Sequence, residues 1–125
     1  MSRIRSKNTK PELLVFLHLK KKGIYFQKHY GRVAGRPDIA LPRKKKAVFI
    51  DGDFWHGRHF KKTFGGKKDG SYWKEKISKN VVRDRKQRRT LKKNGWKILQ
   101  VWTGDLERKS GRDKRLAAIE KFLGR

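Results

Sequence analysis

Four consecutive apolar residues, Ala47-Val48-Phe49-Ile50, interrupt a chain that is otherwise strongly polar. They follow Pro42 and a basic run at 43–46, and they end abruptly at Asp51-Gly52-Asp53. An apolar run this short, with no polar alternation, is the pattern of a strand buried on both faces. Such a strand needs a covering layer on each side, and three helical patterns are available for that. The first begins at Thr9 as N-cap, with Pro11 and Glu12 in the first turn. It continues through Leu13, Leu14, Phe16, Leu17 and His18 and stops at Gly23. The second runs from Tyr72 to Asn94 and is capped by Asn94-Gly95. The third covers Arg112 to Leu123, with Leu116, Ile119, Phe122 and Leu123 on its inner face. Further strands are expected at Ile24–Phe26, Asp38–Leu41 and Trp96–Trp102, a loop at 61–71, and a turn at Thr103-Gly104-Asp105. The order helix, three strands, helix, strand, helix predicts an α/β sandwich around a mixed sheet. One domain over residues 1–125 is expected, with 1–8 as a basic amino-terminal arm.

Charge narrows the partner. Lys and Arg number 37 against 11 Asp and Glu, a formal net charge of +26 over 125 residues. Self-repulsion on that scale opposes compaction, so a polyanion is the natural complement. The chain contains no apolar run near the roughly 20 residues of a membrane span, and no secretory leader pattern is visible. Cysteine is absent, which excludes disulfides and thiolate chemistry. Charge alone does not separate a catalyst from a packaging or binding protein.

The few acids are therefore informative. If the hairpin turn is centred near Lys44–Lys45, Asp38 lies opposite residues 50 or 51, and two oxygen-rich positions meet at one sheet edge. A hard divalent cation takes such ligands; turn hydrogen bonds would explain them equally well. On the long helix, Trp73, Ile77, Val81, Asp84, Arg88 and Leu91 recur on one stripe. Asp84 stands there where an apolar residue is expected, and a buried carboxylate needs a partner. An arginine among Arg83, Arg85 and Arg88 is the ordinary partner; a histidine or a hydrated metal is the functional one. Glu12 in a first helical turn suits the helix dipole without any further role. His56 follows a strand end, and its ordinary pKa suits proton transfer near neutral pH. Phe54 and Trp55 read as core, or as an aromatic wedge at a basic rim.

The chain resembles the very short patch repair endonucleases, a branch of the PD-(D/E)xK restriction-enzyme-like fold. The resemblance is carried by Ser2-Arg3-Ile4, Lys7-Asn8-Thr9-Lys10-Pro11-Glu12, Gly35-Arg36-Pro37-Asp38-Ile39 and Phe54-Trp55-His56-Gly57. It continues in Tyr72 to Ile77, Asn80 to Arg85 and Gly95 to Trp102. The same acids and histidine also resemble those of EDxHD homing endonucleases. The resemblance implies a restriction-endonuclease-like α/β/α sandwich and a catalytic set of Glu12, Asp38, His56 and Asp84. Metal would be held by Asp38 and the Ile50 carbonyl. Asp51 stands where the repair enzymes usually carry histidine, which makes it an added ligand candidate. Phe54, Trp55 and Met1 would enter the base stack, and Arg3, Lys7 and Arg36 would contact DNA. The relatives' structural zinc is not expected here, because Asp53, Arg58, Phe60 and Gly104 stand at or near its ligand places.

The resemblance thus implies hydrolysis of a DNA phosphodiester with one or two Mg²⁺ ions, by a monomer nicking at a T·G-like mismatch in a repair role. The implied setting is a prokaryotic or phage-like cytoplasm, at the nucleoid. A homing-type nuclease cutting a particular sequence is the first alternative, and a non-catalytic DNA-binding protein the second.

Overall fold

The computed structural model describes residues 10–53, 56, 58 and 72–124. Met1, Arg3, Lys7, Thr9, Phe54, Trp55, Phe60 and the loop expected at 61–71 lie outside these described residues. The described elements are α1 (Lys10–Lys21), β1 (Gln27–Lys28), β2 (Ile39–Leu41), β3 (Lys46–Asp51), α2 (Tyr72–Lys93), β4 (Lys97–Trp102), α3 (Thr103–Glu107) and α4 (Lys109–Phe122).

The strands form one mixed sheet in the order β1-β2-β3-β4. β1 and β2, and β2 and β3, are antiparallel, whereas β3 and β4 are parallel. A parallel pair needs a long crossover, and α2 supplies it. β3 carries the apolar run and lies between two neighbours. Its alternate residues feed two cores. Val48 and Ile50 join Ile39, Val101, Val15, Phe16 and Leu19 of α1, Leu106 of α3, and Leu116 and Ile119 of α4. Ala47 and Phe49 join Ala40, Trp96 and Leu91 of α2 on the opposite face. The apolar run is thus covered from both sides, and the fold is the expected α/β/α sandwich around a mixed sheet.

Four expectations are corrected. Ile24 and Phe26 pack against the larger core without joining the sheet, and the short edge strand is formed by the exposed pair Gln27–Lys28 instead. The expected turn at 103–105 is the first turn of α3, and α4 begins at Lys109 rather than Arg112. The register Ile39↔Val48 and Leu41↔Lys46 centres the hairpin on Arg43–Lys44. By that count Asp38 faces Phe49, not residue 50 or 51.

Gly35 links the loop after β1 to both the smaller core and the site. It adopts φ +80°, and a Cβ there would lie 3.1 Å from the Phe49 ring. An L side chain at such a φ costs roughly 1–2 kcal/mol before any crowding. Gly35→Ala is expected to destabilise the protein by at least about 1 kcal/mol in chemical denaturation; an unchanged midpoint would contradict this packing.

Candidate active site

The end of the β2–β3 pair builds one half of the site. Asp38 immediately precedes β2, and its Oδ2 accepts a hydrogen bond from the Ile50 amide at 2.7 Å. Ile50 thus reaches the site through its N–H. Glu12 enters from the first turn of α1, only 3% exposed. His29 closes the cluster, and it was not anticipated from the sequence. The β1–β2 register pairs Lys28 with Ile39. The next residue, His29, donates its backbone N–H to the Asp38 carbonyl at 2.9 Å. Its Nδ1 lies 3.8 Å from Asp38 Oδ1, and its Nε2 lies 4.0 Å from Glu12 Oε1. Nothing in the sequence marks His29, because its proximity arises only once β1 takes its register.

Burial pushes the Asp38 carboxyl up, to about 8. The Ile50 N–H opposes the rise, and the nearby carboxylates of Glu12 and Asp51 add to it. One donor atom each from Glu12, His29 and Asp38 can be chosen so that all lie within 4.8 Å of one another. A divalent cation fits this donor set, since it would replace the proton and neutralise two adjacent acids.

The other half is built on the strand end and α2. His56 Nδ1 is hydrogen-bonded to Asp84 of α2. Burial pushes Asp84 up, but the His56 contact, with Arg88 and Arg83, outweighs it and holds the carboxyl below its ordinary value. Histidine is therefore the hydrogen-bond partner of Asp84, and Arg83, one of the arginines expected beside it, also pairs with it, its Nη2 3.6 Å from Oδ1. Arg88 instead grips the buried Asp51 through both terminal nitrogens, at 2.7 and 2.9 Å. Gln100 donates to the same carboxylate at 2.7 Å. The Arg88 guanidinium also stacks 4.0 Å above the Phe49 ring centroid. Asp51 was expected as an added metal ligand. Its carboxylate is held by the bidentate guanidinium of Arg88, which it anchors beside the cleft.

Glu12, His29, Asp38, Asp51, His56 and Asp84 line one cleft of about 470 Å³, with Arg36 and Arg83 also lining it. A larger cleft of about 930 Å³ runs between Gly23–Gln27, Leu41–Lys44 and Leu123. Among the described residues it is lined by no acid or histidine, whereas the smaller one gathers six of them.

The segment carrying His56 is fastened by ion pairs. Arg58 donates to Asp105 at 3.1 and 3.2 Å and to Asp53 at 3.3 Å. It also lies 5.4 Å over the Trp102 ring. Asp53 accepts from the Gly104 amide at 3.1 Å. A Cβ on Gly104 would fall 2.5 Å from Asp53, so the contact requires glycine. The Arg58 hydrogen bond is the main cause holding the Asp105 carboxyl below its ordinary value; burial opposes it, and Arg115 and Arg108 assist. Asp53, Arg58 and Gly104 are thus joined directly by hydrogen bonds and charge.

Residues 1–62 match the family described as DNA mismatch endonuclease Vsr. A type II nicking enzyme of Neisseria meningitidis serogroup A is 41% identical over 98% of this chain and 88% of its own length. A type II nicking enzyme of Xanthomonas oryzae is 34% identical over 95% of this chain and 88% of its own. The DNA mismatch endonuclease Vsr of Escherichia coli is 32% identical over 91% of this chain and 71% of its own.

Two outcomes are expected from this geometry. Asp38 titrates from 3.8 when exposed to about 8 in the fold. Its contribution to stability is therefore full below the lower value and is lost as pH rises through the higher one. Added Mg²⁺ or Mn²⁺ should raise Tm more at about pH 8 than at about pH 5. In Asp38→Asn that pH-dependent increment should vanish; its persistence would count against Asp38 as the titrating group. Separately, Arg58→Met should lower stability by about 1–3 kcal/mol in chemical denaturation, because it leaves the buried Asp105 short of a donor.

Proposed function

The chain belongs to the Vsr family of DNA mismatch endonucleases, and on that premise we propose that it hydrolyses one strand of duplex DNA at a mispaired base with the help of a divalent cation. The observation that carries this reading is the arrangement of His56 and Asp84 beside the buried pair Asp38 and Glu12 in one cleft. Asp84 occupies Nδ1 of His56, which fixes the ring's orientation and leaves Nε2 as the nitrogen able to accept a proton. Nε2 is the base that takes a proton from the attacking water. A cation bound at Asp38 and Glu12 would stabilise the negative charge developing on the phosphate. Asp38 is held ready for it by the Ile50 amide, and Glu12 by its burial at the start of α1.

The surrounding charge supports DNA as the substrate. Arg36 and Arg83 line the cleft. A neighbouring groove continues from His56 past Arg58, Arg85, Arg89 and Lys92 along α2. Such cations neutralise successive phosphates, and binding then falls steeply with salt. The relatives named as nicking enzymes support cleavage of one strand, and the mismatch endonuclease of Escherichia coli supports mispaired sites as targets. A mispaired base unstacks at least cost, which favours cutting there. One set of catalytic side chains per chain fits a monomer that nicks, acting in the cytoplasm on nucleoid DNA.

The test is cleavage of duplexes labelled on both strands, matched or carrying a single T·G pair, with and without Mg²⁺ or Mn²⁺. One cut strand, dependent on metal and on the mismatch, is expected. Asp38→Ala and His56→Ala should each lose about 10²–10⁴-fold in rate. Equal cutting of the matched duplex at one sequence would point to a homing-type nuclease instead. Binding without cleavage under every condition would leave a DNA-binding protein.

A further inference from the structure

We infer that His29 is a nitrogen ligand of the cation held by Asp38 and Glu12, so that the centre is a mixed nitrogen–oxygen site preferring Mn²⁺ or Co²⁺ to Mg²⁺. The inference rests on the reading that a cation binds at Asp38. It adds a ligand that neither the sequence patterns nor the resemblance supplied.

Backbone pairing puts the ring in place. The antiparallel register of β1 and β2 continues past Lys28↔Ile39, and the His29 N–H bonds to the Asp38 carbonyl. The two residues therefore stand opposite each other at the sheet's end. His29 has a left-handed backbone, φ +46°. The ring packs edge-on against Phe16, with centroids 5.7 Å apart. Packing of this kind orients a ligand before any ion arrives.

The distances suit a single ion. Ligands about 2.1 Å from an octahedral cation stand about 3–4 Å from one another. The 3.8 Å contact to Asp38 is made by His29 Nδ1 and the 4.0 Å contact to Glu12 by Nε2, but a single ring nitrogen and one oxygen from each acid also lie within 4.8 Å of one another, so a modest contraction closes the set around one ion. Arg88 does not compete for these acids, because it uses both terminal nitrogens on Asp51.

Ligand type then sets the preference. Carboxylates alone suit Mg²⁺, whereas an imidazole nitrogen strengthens binding of transition metals. A protonated His29 that merely pairs with the two acids is the competing account. It predicts no bond between nitrogen and metal, and an inert His29 once the cation is bound.

Mn²⁺ binding to the intact protein, free of DNA, separates these accounts. Pulsed electron paramagnetic resonance of the Mn²⁺-loaded protein should show coupling to a directly bound ¹⁴N nucleus. His29→Asn should abolish that coupling, since asparagine tolerates a positive φ but brings no imidazole. Titration should show Mn²⁺ and Co²⁺ affinity reduced about tenfold or more in His29→Asn, with a smaller change for Mg²⁺. Circular dichroism reports whether the variant is folded; His29→Gln replaces it if it is not. Wild-type protein that binds Mn²⁺ through Asp38 without ¹⁴N coupling overturns the inference, as does coupling that survives in His29→Asn. Mn²⁺ binding that is absent, or unaffected by Asp38→Asn, instead overturns the underlying cation reading.

Discussion

Two carboxylates, Asp38 and Glu12, are held together under cover in a chain with a net charge of +26. Buried acids of like charge cannot both ionise without help, and either a proton or a cation must supply it. That requirement explains the local architecture. The Ile50 amide fixes one oxygen of Asp38, α1 begins where it can place Glu12 beneath the strand ends, and β1 runs just far enough to set His29 opposite Asp38. A general excess of lysine and arginine would be satisfied by any polyanion. A binding surface alone has no use for an acidic cleft in its midst, since acids repel phosphate. The cleft makes physical sense as the place where a cation mediates between carboxylates and phosphate.

Around that centre the remaining acids are sorted among different partners. Asp84 takes His56, Asp51 takes Arg88 and Gln100, and Asp105 takes Arg58, Arg108 and Arg115. The sorting matters because these groups lie close together. If Arg88 bound Asp84, it would compete with His56 for the carboxylate that orients the ring. By stacking on Phe49 and gripping Asp51, Arg88 stays close enough to lower Asp84 electrostatically while leaving its hydrogen bond to the histidine. Phe49 in turn meets Gly35 through its Cζ and Cε1 atoms, so the loop after β1 and the end of β3 share one packed ring.

Much of this was legible in the sequence because it depends on periodicity and on rarity. The apolar run at 47–50 announced a strand covered twice, and its alternate residues do divide between two cores. Glu12, Asp38, His56 and Asp84 were conspicuous as acids and a histidine in places that basic or apolar residues would otherwise fill. What failed depends on pairing in space. Ile24 and Phe26 read as a strand because their apolar spacing is right, but that spacing serves the core, and the ladder uses Gln27–Lys28. The hairpin centre shifted by one residue because every residue from Arg43 to Lys46 is basic, so composition could not fix the register. His29 was invisible for the same reason, since its place beside Asp38 exists only through that edge pairing. Thr103-Gly104-Asp105 carries turn chemistry, yet the chain there starts a helix, with Asp105 and Leu106 buried.

The ion pairs of Arg58 show how a loop can be both polar and fixed. The segment from Gly52 to Arg58 carries His56 but has few apolar anchors among its described residues. Its attachment to the β4–α3 junction is electrostatic, through Asp53, Arg58 and Asp105. Exposed contacts to a polyanion are screened by salt over roughly 8–10 Å at physiological ionic strength, whereas partly buried pairs are screened far less. Asp105 is only 6% exposed, and the Asp53 contact is backed by a backbone amide. Salt that screens exposed contacts therefore leaves these ion pairs largely intact. Charge is thus divided between open arginines of α2, which salt screens, and enclosed pairs that fasten the segment carrying His56.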